Sequence, residues 1–153
     1  MEIEKKFLIQ SLDDVPGDIS SYSYHDLEQG YLCTAPVLRV RKEDATYYCT
    51  YKGSGMMSRE EYNLPLTKEA YDHLIKKSDG IIITKRRYLI PLDKHLTCEL
   101  DVFGGDYEGL LLAEVEFSSE EEALSFQPPK WFGEDVTFDS RYHNSNMSKG
   151  ISK

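Results

Sequence analysis

Near its start the sequence reads Glu2-Ile3-Glu4-Lys5-Lys6. Successive side chains of a β-strand point to opposite faces, so a strand here places Glu2, Glu4 and Lys6 on one face. The residues between them, Ile3 and Lys5, lie on the other face. Taken alone, this pattern is typical of a strand with one solvated face. The same pattern recurs along the chain, and the recurrence decides how the sequence is interpreted.

A series of β-strands with few helices between them is predicted by the hydrophobic period. The strands are expected near residues 1–9, 27–33, 36–42, 45–52, 58–66, 81–91, 96–103 and 109–117. Turn-forming residues separate several of them, as at Lys42-Glu43-Asp44, Gly53-Ser54-Gly55 and Leu92-Asp93-Lys94. Because short connections join antiparallel neighbours, the sequence predicts a mainly β, α+β fold with an antiparallel sheet.

Two helices are predicted beside the strands. One covers residues 67–78, where Thr67 can act as the N-terminal cap. The other follows the last strand, where Ser119 and Glu122 have the spacing of a capping box. Loop with some helix is expected at 11–26, and a short helical or frayed tail at 140–153.

The composition is that of an ordinary globular protein. The 153 residues fit one domain, residues 1–153, and the apolar runs are too short to cross a bilayer. A formal net charge of −9 weighs against nucleic-acid binding but allows a polyanion in a locally basic cavity. The 3 cysteines lack metal-ligand spacing, which favours a reducing, cytoplasmic setting, and no signal peptide is expected. The oligomeric state stays open, with a homodimer as one option.

The charged faces of the predicted strands carry equal numbers of acids and bases. They hold seven cations and seven carboxylates: Lys6, Arg39, Arg41, Lys52, Arg59, Lys85 and Arg87; Glu2, Glu4, Glu61, Glu99, Asp101, Glu114 and Glu116. Most strands carry charges of one sign, so separate cationic and anionic clusters are expected. Tyr31 joins this face if its strand begins at Gly30.

Two arrangements satisfy this pattern. In an open sheet the charged face meets water and the apolar face packs on helices. In a closed barrel of about eight strands the charges line the interior and the apolar residues lie outside. Two helices would cover only part of such a barrel. Clustered carboxylates favour a divalent cation such as Mg²⁺ or Mn²⁺, and clustered Lys and Arg favour phosphate groups. A cavity with both would suit a metal–polyphosphate complex.

The residues also resemble a known superfamily over nearly the whole chain. Its signature is Glu-x-Glu-x-Lys, here Glu2, Glu4 and Lys6. The likeness continues, in order, through Gln29-Gly30-Tyr31-Leu32, Leu38-Arg39-Val40-Arg41, Thr50-Tyr51-Lys52-Gly53, Ser58-Arg59-Glu60-Glu61-Tyr62, Lys85-Arg86-Arg87-Tyr88, Glu99-Leu100-Asp101-Val102-Phe103, Ala113-Glu114-Val115-Glu116, Trp131-Phe132-Gly133-Glu134-Asp135-Val136-Thr137 and Arg141-Tyr142-His143-Asn144. This ordered set resembles the CYTH superfamily, the triphosphate tunnel metalloenzymes, and within it small bacterial inorganic triphosphatases.

The resemblance implies an eight-stranded antiparallel β-barrel that forms a hydrophilic tunnel, with Mg²⁺- or Mn²⁺-dependent chemistry on triphosphates. It implies that the seven cations bind the triphosphate: Lys6, Arg39, Arg41, Lys52, Arg59, Lys85 and Arg87. Glu2, Glu4 and Glu116 are the leading metal ligands, followed by Glu61, Asp101 and Glu114. One departure is Asn63, where relatives often carry a further glutamate.

Lys6 and Tyr31 are the catalytic candidates. Lys6 is the candidate general base and Tyr31 would position it or share its proton. Neighbouring cations would lower the pKa of Lys6, whereas Glu2 and Glu4 oppose that shift, so the balance stays open. Without the resemblance, Tyr31 would be taken for a packing residue.

The leading hypothesis is a metal-dependent hydrolase that releases phosphate from tripolyphosphate. Nucleoside or thiamine triphosphatase and class IV-type adenylate cyclase are rival enzymes. A polyphosphate-binding module without turnover is a rival from another class.

Overall fold

The computed structural model describes residues 2–55, 57–93 and 95–150 of the chain. In this part of the chain nine strands form one antiparallel sheet. The strands are β1 (Glu2–Leu8), β2 (Ser23–Thr34), β3 (Val37–Glu43), β4 (Thr46–Lys52), β5 (Ser58–Arg59), β6 (Glu61–Leu66), β7 (Asp79–Pro91), β8 (Thr97–Phe103) and β9 (Leu111–Glu116). Their order is β5-β1-β9-β8-β7-β2-β3-β4-β6.

The sheet is a nearly closed barrel because its two edges come from one stretch of chain. β5 pairs with β1 and β6 pairs with β4, and only Glu60 separates β5 from β6. The predicted eight-stranded barrel is therefore confirmed, with the small correction that the strand expected at 58–66 is interrupted at Glu60 and counts as two. The open-sheet alternative is wrong.

Strands β2 and β7 begin earlier than the sequence pattern indicated, at Ser23 and Asp79. Gly30 does not begin a strand but lies inside β2, next to two irregularities of register that flank Tyr31. Tyr31 nevertheless faces the interior, as expected, and is 2% exposed. The turn predicted at 92–94 includes Lys94, which lies outside the described residues.

The helices begin where the sequence predicted. In α1 (Lys68–Ile75) the Thr67 side chain accepts a hydrogen bond from the Ala70 amide at 3.1 Å. In α2 (Glu120–Ser125) the Ser119 side chain caps the Glu122 amide, also at 3.1 Å. A third helix, α3 (Asn144–Met147), follows a 3-10 turn in the C-terminal segment. Among the described residues, no helix combines the length and the apolar character that a membrane span requires.

The main apolar core lies outside the barrel wall rather than within it. It forms where the outer faces of β1, β8 and β9 meet the segment around α2 and the aromatic side chains of Phe126 and Phe132. Phe7, Leu100 and Val115 from the three strands are each at most 2% exposed there. Since side chains alternate along each strand, this packing turns the charged residues of the same strands inward.

Elsewhere the outer wall is less covered. Tyr62 on β6 is 58% exposed, and Leu64 on the same strand is 62% exposed. Helix α1 lies against β2, β3 and β4 and does not extend over β6. The expectation that few helices would leave part of the barrel bare is therefore confirmed at β6.

Candidate active site

The barrel encloses a small cavity of about 200 Å³ whose walls are almost entirely polar and charged. Five of the six predicted metal ligands line it: Glu2, Glu4, Glu61, Glu114 and Glu116. Six of the seven predicted phosphate-binding cations line it as well: Lys6, Arg39, Arg41, Lys52, Arg59 and Arg87. Tyr31 is also part of the wall. The strands thus bring most of the predicted site residues into one space.

One wall of the cavity is acidic and is built by β1, β9 and β8. The register places Glu4 opposite Glu116 and Glu99 opposite Glu114. Like charges directly opposite one another on antiparallel strands destabilise a sheet unless a cation neutralises them. The register itself therefore creates a position where positive charge would be stabilising.

The uncompensated negative charge of the acidic wall is clearest at Glu4. It is 8% exposed, and no hydrogen bond or ion pair joins its side chain to another described residue. Burial, together with the nearby Glu114 charge, raises the pKa of Glu4 to about 8, although Lys6 acts in the opposite direction. An unpaired buried carboxylate of this kind is a fitting ligand for a divalent cation, which would replace the missing solvation.

Glu2 and Glu61 lie close enough to share a proton. Burial opposes ionisation of Glu2, but a hydrogen bond from Glu61 and the charges of Lys52 and Arg59 outweigh it and lower its pKa to about 2. The same contact with Glu2, assisted by burial, raises the pKa of Glu61. The Lys52 ammonium lies 3.1 Å from a Glu2 oxygen and 3.6 Å from a Glu61 oxygen. These two carboxylates are thus already tied to the basic wall.

The facing wall is basic and is formed by β3, β4, β5 and β7. On β7, Arg87 contacts Glu99 at 3.2 Å and Glu114 at 3.3 Å, so it joins the two walls. On β5, the Arg59 Nε lies 3.4 Å from a Glu2 oxygen. Most acids and bases therefore lie on different sides of one cavity, with Lys6 on the acidic side and Glu61 on the basic side as exceptions.

On β3 the two arginines have neutral partners. The Oε1 atom of Gln29 accepts hydrogen bonds from Arg41 Nε, at 2.7 Å, and from Arg41 Nη2. The Oγ1 atom of Thr50 accepts a hydrogen bond from Arg39 Nη2 at 3.1 Å. Thr50 in turn donates to the Asn63 side-chain oxygen at 2.5 Å.

Lys85 and Asp101 lie outside the cavity lining. Asp101 is 0% exposed, and its carboxylate accepts from Lys85 Nζ at 2.7 Å and from Arg87 Nε at 2.7 Å. Burial lowers the pKa of Lys85 to about 7 even though Asp101 opposes the shift. This placement does not favour the predicted roles of Asp101 as a metal ligand and of Lys85 as a phosphate contact. Asp101 instead accepts hydrogen bonds from Arg87, and Lys85 binds the same carboxylate.

Lys6 is held by a backbone carbonyl and a carboxylate. Its Nζ donates to the Tyr142 carbonyl at 3.1 Å and lies 3.6 Å from a Glu114 oxygen. Burial lowers the pKa of Lys6, but Glu114, Glu4 and Tyr31 together outweigh it and raise the pKa above its usual value. The balance that the sequence left open between cations and carboxylates is thus on the side of the carboxylates. Among the described residues, no hydrogen bond joins Lys6 to Tyr31.

The carboxylates of the cavity do not form a closed metal cage. Within the described ranges, no three acidic, histidine or cysteine side chains are close enough together to hold one ion by themselves. The unpaired Glu4 and its register partner Glu116 still offer oxygen atoms on one wall. A divalent ion bound there would take its remaining ligands from water or from substrate, as Mg²⁺ commonly does.

Sequence reasoning missed several lining residues. Glu99 had appeared among the inward charges but was given no role, although it lines the cavity. Tyr48 and Glu43 close the β3–β4 side, where the Tyr48 hydroxyl donates to Glu43 at 3.2 Å. Asn144 and Ser145 reach the cavity from the C-terminal segment. A strand-by-strand reading could have found the first three, whereas the last two depend on how the tail folds back.

Fold and site together define a protein of the CYTH superfamily, with a barrel whose interior is sorted into an acidic and a basic wall. Comparison with curated proteins narrows this assignment. The chain is 39% identical to an inorganic triphosphatase of Nitrosomonas europaea, over 98% of each chain. It is 35% identical to an inorganic triphosphatase of Acetivibrio thermocellus, over 97% of this chain and 93% of the relative. The chain belongs to this inorganic triphosphatase family. No family model matches it.

Solved structures agree with the fold. The crystal structure of an inorganic triphosphatase has a TM-score of 0.73 at 36% identity and covers 100% of this chain and 97% of its own. A Hippeastrum protein, described as a putative adenylyl cyclase with a dominant triphosphatase activity, has a TM-score of 0.58 at 16% identity. It covers 81% of this chain and 83% of its own, and at that identity it supports the fold alone.

Proposed function

We propose that the chain is a divalent-metal-dependent triphosphatase that hydrolyses inorganic tripolyphosphate. The observation that carries the proposal is the acidic wall facing a basic wall across a cavity of about 200 Å³. Hydrolysis of a phosphoanhydride requires neutralisation of the phosphate charge, an aligned water and a stabilised leaving phosphate. The relatives named inorganic triphosphatase support the choice of substrate.

The basic wall would bind the phosphate chain. Arg39 and Arg41 on β3 have no competing carboxylate partner among the described residues, so their guanidinium groups remain available to phosphate oxygens. Lys52, Arg59 and Arg87 would exchange part of their contact with carboxylates for contact with the substrate. The small polar cavity suits a chain of phosphates.

The acidic wall would hold Mg²⁺ or Mn²⁺, with Glu4 and Glu116 as the leading ligands and Glu2, Glu61 and Glu114 nearby. When bound, such an ion supplies charge neutralisation at the phosphate oxygens. Asp101 is left out of the proposed set because Lys85 and Arg87 already occupy its oxygens.

Lys6 is proposed as the group that handles the proton of the attacking water, with Tyr31 lining the same cavity. The carboxylates Glu114 and Glu4 keep Lys6 protonated in the resting site. Neutralising those carboxylates would remove the attraction that holds the proton, and the burial of Lys6 would then favour the neutral amine. A base role therefore depends on the ligated state of the acidic wall.

The rival functions are less well supported by the cavity. A nucleoside triphosphatase or a cyclase must hold a base, and the lining offers few apolar side chains on which a base could stack. A binding module without turnover would not require Lys6 and Tyr31 in the same cavity. The rivals can be separated by one assay panel of tripolyphosphate, pyrophosphate, ATP and thiamine triphosphate, with released phosphate and cyclic nucleotide as readouts.

Two substitutions test the role of Lys6. Lys6→Arg keeps a permanent positive charge but cannot act as a base, whereas Lys6→Ala removes both. If Lys6 moves a proton, both variants lose turnover by about 10²–10⁴-fold, and Lys6→Arg keeps a KM near that of the wild type. Lys5→Ala, on the opposite face of β1, is the matched control. Substantial kcat in Lys6→Arg would show that only the charge of Lys6 matters.

A further inference from the structure

Charge compensation is uneven among the inward-facing cations. Five of the seven lie within ion-pair distance of a carboxylate: Lys6, Lys52, Arg59, Lys85 and Arg87. In the described part of the chain, Arg39 and Arg41 have no such partner. Both are deeply buried, at 3% and 6% exposure. Two neighbouring buried guanidinium groups are thus left without compensating charge.

The partners of these arginines are polar but neutral. Gln29, on β2, accepts two hydrogen bonds from Arg41, and the Tyr48 hydroxyl accepts a third from Arg41 Nη1 at 3.4 Å. Thr50, on β4, accepts from Arg39. A carboxylate in any of these places could accept the same hydrogen bonds and would also cancel the charge. The neutral acceptors fix the direction of the guanidinium groups and leave their charge intact.

Two unsatisfied donors lie in the same region. Among the described residues, the buried side-chain nitrogen or oxygen atoms without a hydrogen-bond partner are Gln29 Nε2 and Arg39 Nε. The Gln29 amide cannot be reversed to satisfy its nitrogen, because its NH₂ group would then face the donors of Arg41. Buried unpaired donors are costly, and an incoming anionic oxygen would satisfy Arg39 Nε. The arrangement is therefore complete only with an anion.

We propose that Gln29 is a positioning residue that aligns Arg41 for the substrate while leaving its charge uncompensated, and that Thr50 serves Arg39 in the same way. The β3 arginines are thereby the main anion-binding groups of the cavity, and the side chains of the other cations rearrange around the bound anion. This inference deepens the proposed function and rests on it, since it assigns the initial binding of the triphosphate to Arg39 and Arg41.

The decisive variant is Gln29→Glu, which preserves size and hydrogen-bond acceptors and adds one negative charge beside Arg41. Gln29→Met is its partner, with similar size, no acceptor and no charge. We expect Gln29→Glu to keep a wild-type melting temperature and to raise the KM for tripolyphosphate at least about tenfold, because one buried charge is cancelled. We expect Gln29→Met to lower the melting temperature and to raise KM less than Gln29→Glu does.

A second readout does not depend on turnover. Binding of inorganic phosphate to the metal-free protein, measured by calorimetry, should be detectable in the wild type and lost in Gln29→Glu. Gln127→Glu, which adds the same charge at an exposed position, should bind phosphate as the wild type does. A purely structural role for Gln29 would instead make Gln29→Met the more damaging change in both readouts, and that order would overturn the inference.

The outcomes separate this inference from the proposed function. If the wild type does not hydrolyse tripolyphosphate but Gln29→Glu abolishes phosphate binding, the function is wrong and the inference stands. If the wild type hydrolyses tripolyphosphate and Gln29→Glu binds both anions unchanged, the inference is overturned and the function stands. Should Gln29→Glu fail to fold, Thr50→Asp places a charge beside Arg39, and undiminished phosphate binding in that variant overturns the inference.

Discussion

Glu4 is a buried carboxylate that lies opposite Glu116 and near Glu114, without a cationic partner in contact. Its neighbour two residues along the strand, Lys6, is held by Glu114 and by the Tyr142 carbonyl. Two inward-facing residues of one strand therefore differ in their partners: Lys6 contacts a group of opposite charge, and Glu4 contacts none among the described residues. The difference comes from β9 and the C-terminal segment, which supply Lys6 but not Glu4 with direct partners.

The raised pKa of Glu4 predicts a specific pH dependence of stability. Burial and the Glu114 charge raise this pKa from 4.5 to about 8, so between these values the folded protein binds more protons at Glu4 than the unfolded chain. Stability from this group is therefore fully present below 4.5 and is lost as the pH rises to about 8. In metal-free protein, Glu4→Gln should match the wild type near the lower limit and exceed it by at least about 1 kcal/mol near the upper one.

Chemical denaturation across this pH range provides the measurement. Glu120→Gln, at an exposed position of α2, is the control and should show no such divergence. Parallel stability curves for Glu4→Gln and the wild type would contradict the inferred crowding of carboxylates. Added divalent ion should reduce the gap, because it stabilises the ionised form of Glu4 in the wild type alone.

At the scale of elements, the contact between β2 and the end of α1 sets the position of Tyr31. A Cβ atom added at Gly30 would lie 2.2 Å from Ser78 Oγ and 2.8 Å from Ile75 Cδ1. Glycine is therefore required by the close approach of the two elements. The register irregularities of β2 that flank Tyr31 are found at the same place.

Gly30→Ala should destabilise the fold by about 1–3 kcal/mol, because the added methyl group overpacks the contact with Ile75 and Ser78. It should also lower kcat, since Tyr31 is the next residue in the strand. Gly104→Ala is the control, because its Cβ would meet its nearest neighbour at 3.4 Å. Denaturation compares the stability of each variant with that of the wild type, and phosphate release compares kcat. Full activity and stability in Gly30→Ala would mean that α1 moves freely away from β2.

At the scale of the whole molecule, the barrel packs its larger apolar core outside and its charges inside, while a second, smaller apolar cluster that includes Ile83, Phe103 and Leu112 lies on the strand faces that also carry the inward charges. The outer faces of β1, β8 and β9 are covered by the segment around α2, so the larger apolar core lies outside the cavity. The interior instead keeps ionised groups in a confined space, where their interactions are stronger than in water. A ligand that compensates the charges of the acidic and basic walls therefore stabilises the folded protein.

A divalent cation should therefore raise the melting temperature of the protein. Mg²⁺ or Mn²⁺ at about 100 times its dissociation constant would add about 2.7 kcal/mol of stability if it binds only the folded state. Na⁺ at matched ionic strength serves as the control and should have little effect. Chelation should abolish triphosphatase activity, and added Mg²⁺ or Mn²⁺ should restore it. Activity that persists after exhaustive chelation would contradict the metal assignment.

Much of this arrangement could be predicted from the sequence. The alternation of charge along successive strands sorted Glu4, Lys6, Arg39 and Arg41 to one face, because side-chain direction in a strand depends only on position. The charge pattern left an open sheet and a closed barrel as alternatives, and the resemblance implied the barrel. The caps at Thr67 and Ser119 were predicted for a similar reason, since they involve residues close in sequence.

The partners of each charge could not be predicted, because they depend on which strands become neighbours and in which register. Only the tertiary structure placed Asp101 between Lys85 and Arg87, away from the cavity, and brought the Tyr142 carbonyl to Lys6. It also decided that the pKa of Lys6 is raised, since Glu114 and Glu4 outweigh the effect of burial. The sequence by itself determined which side chains face inward. The tertiary structure decided what each of them meets there, because electrostatic and hydrogen-bond energies depend on distances between residues far apart in the chain.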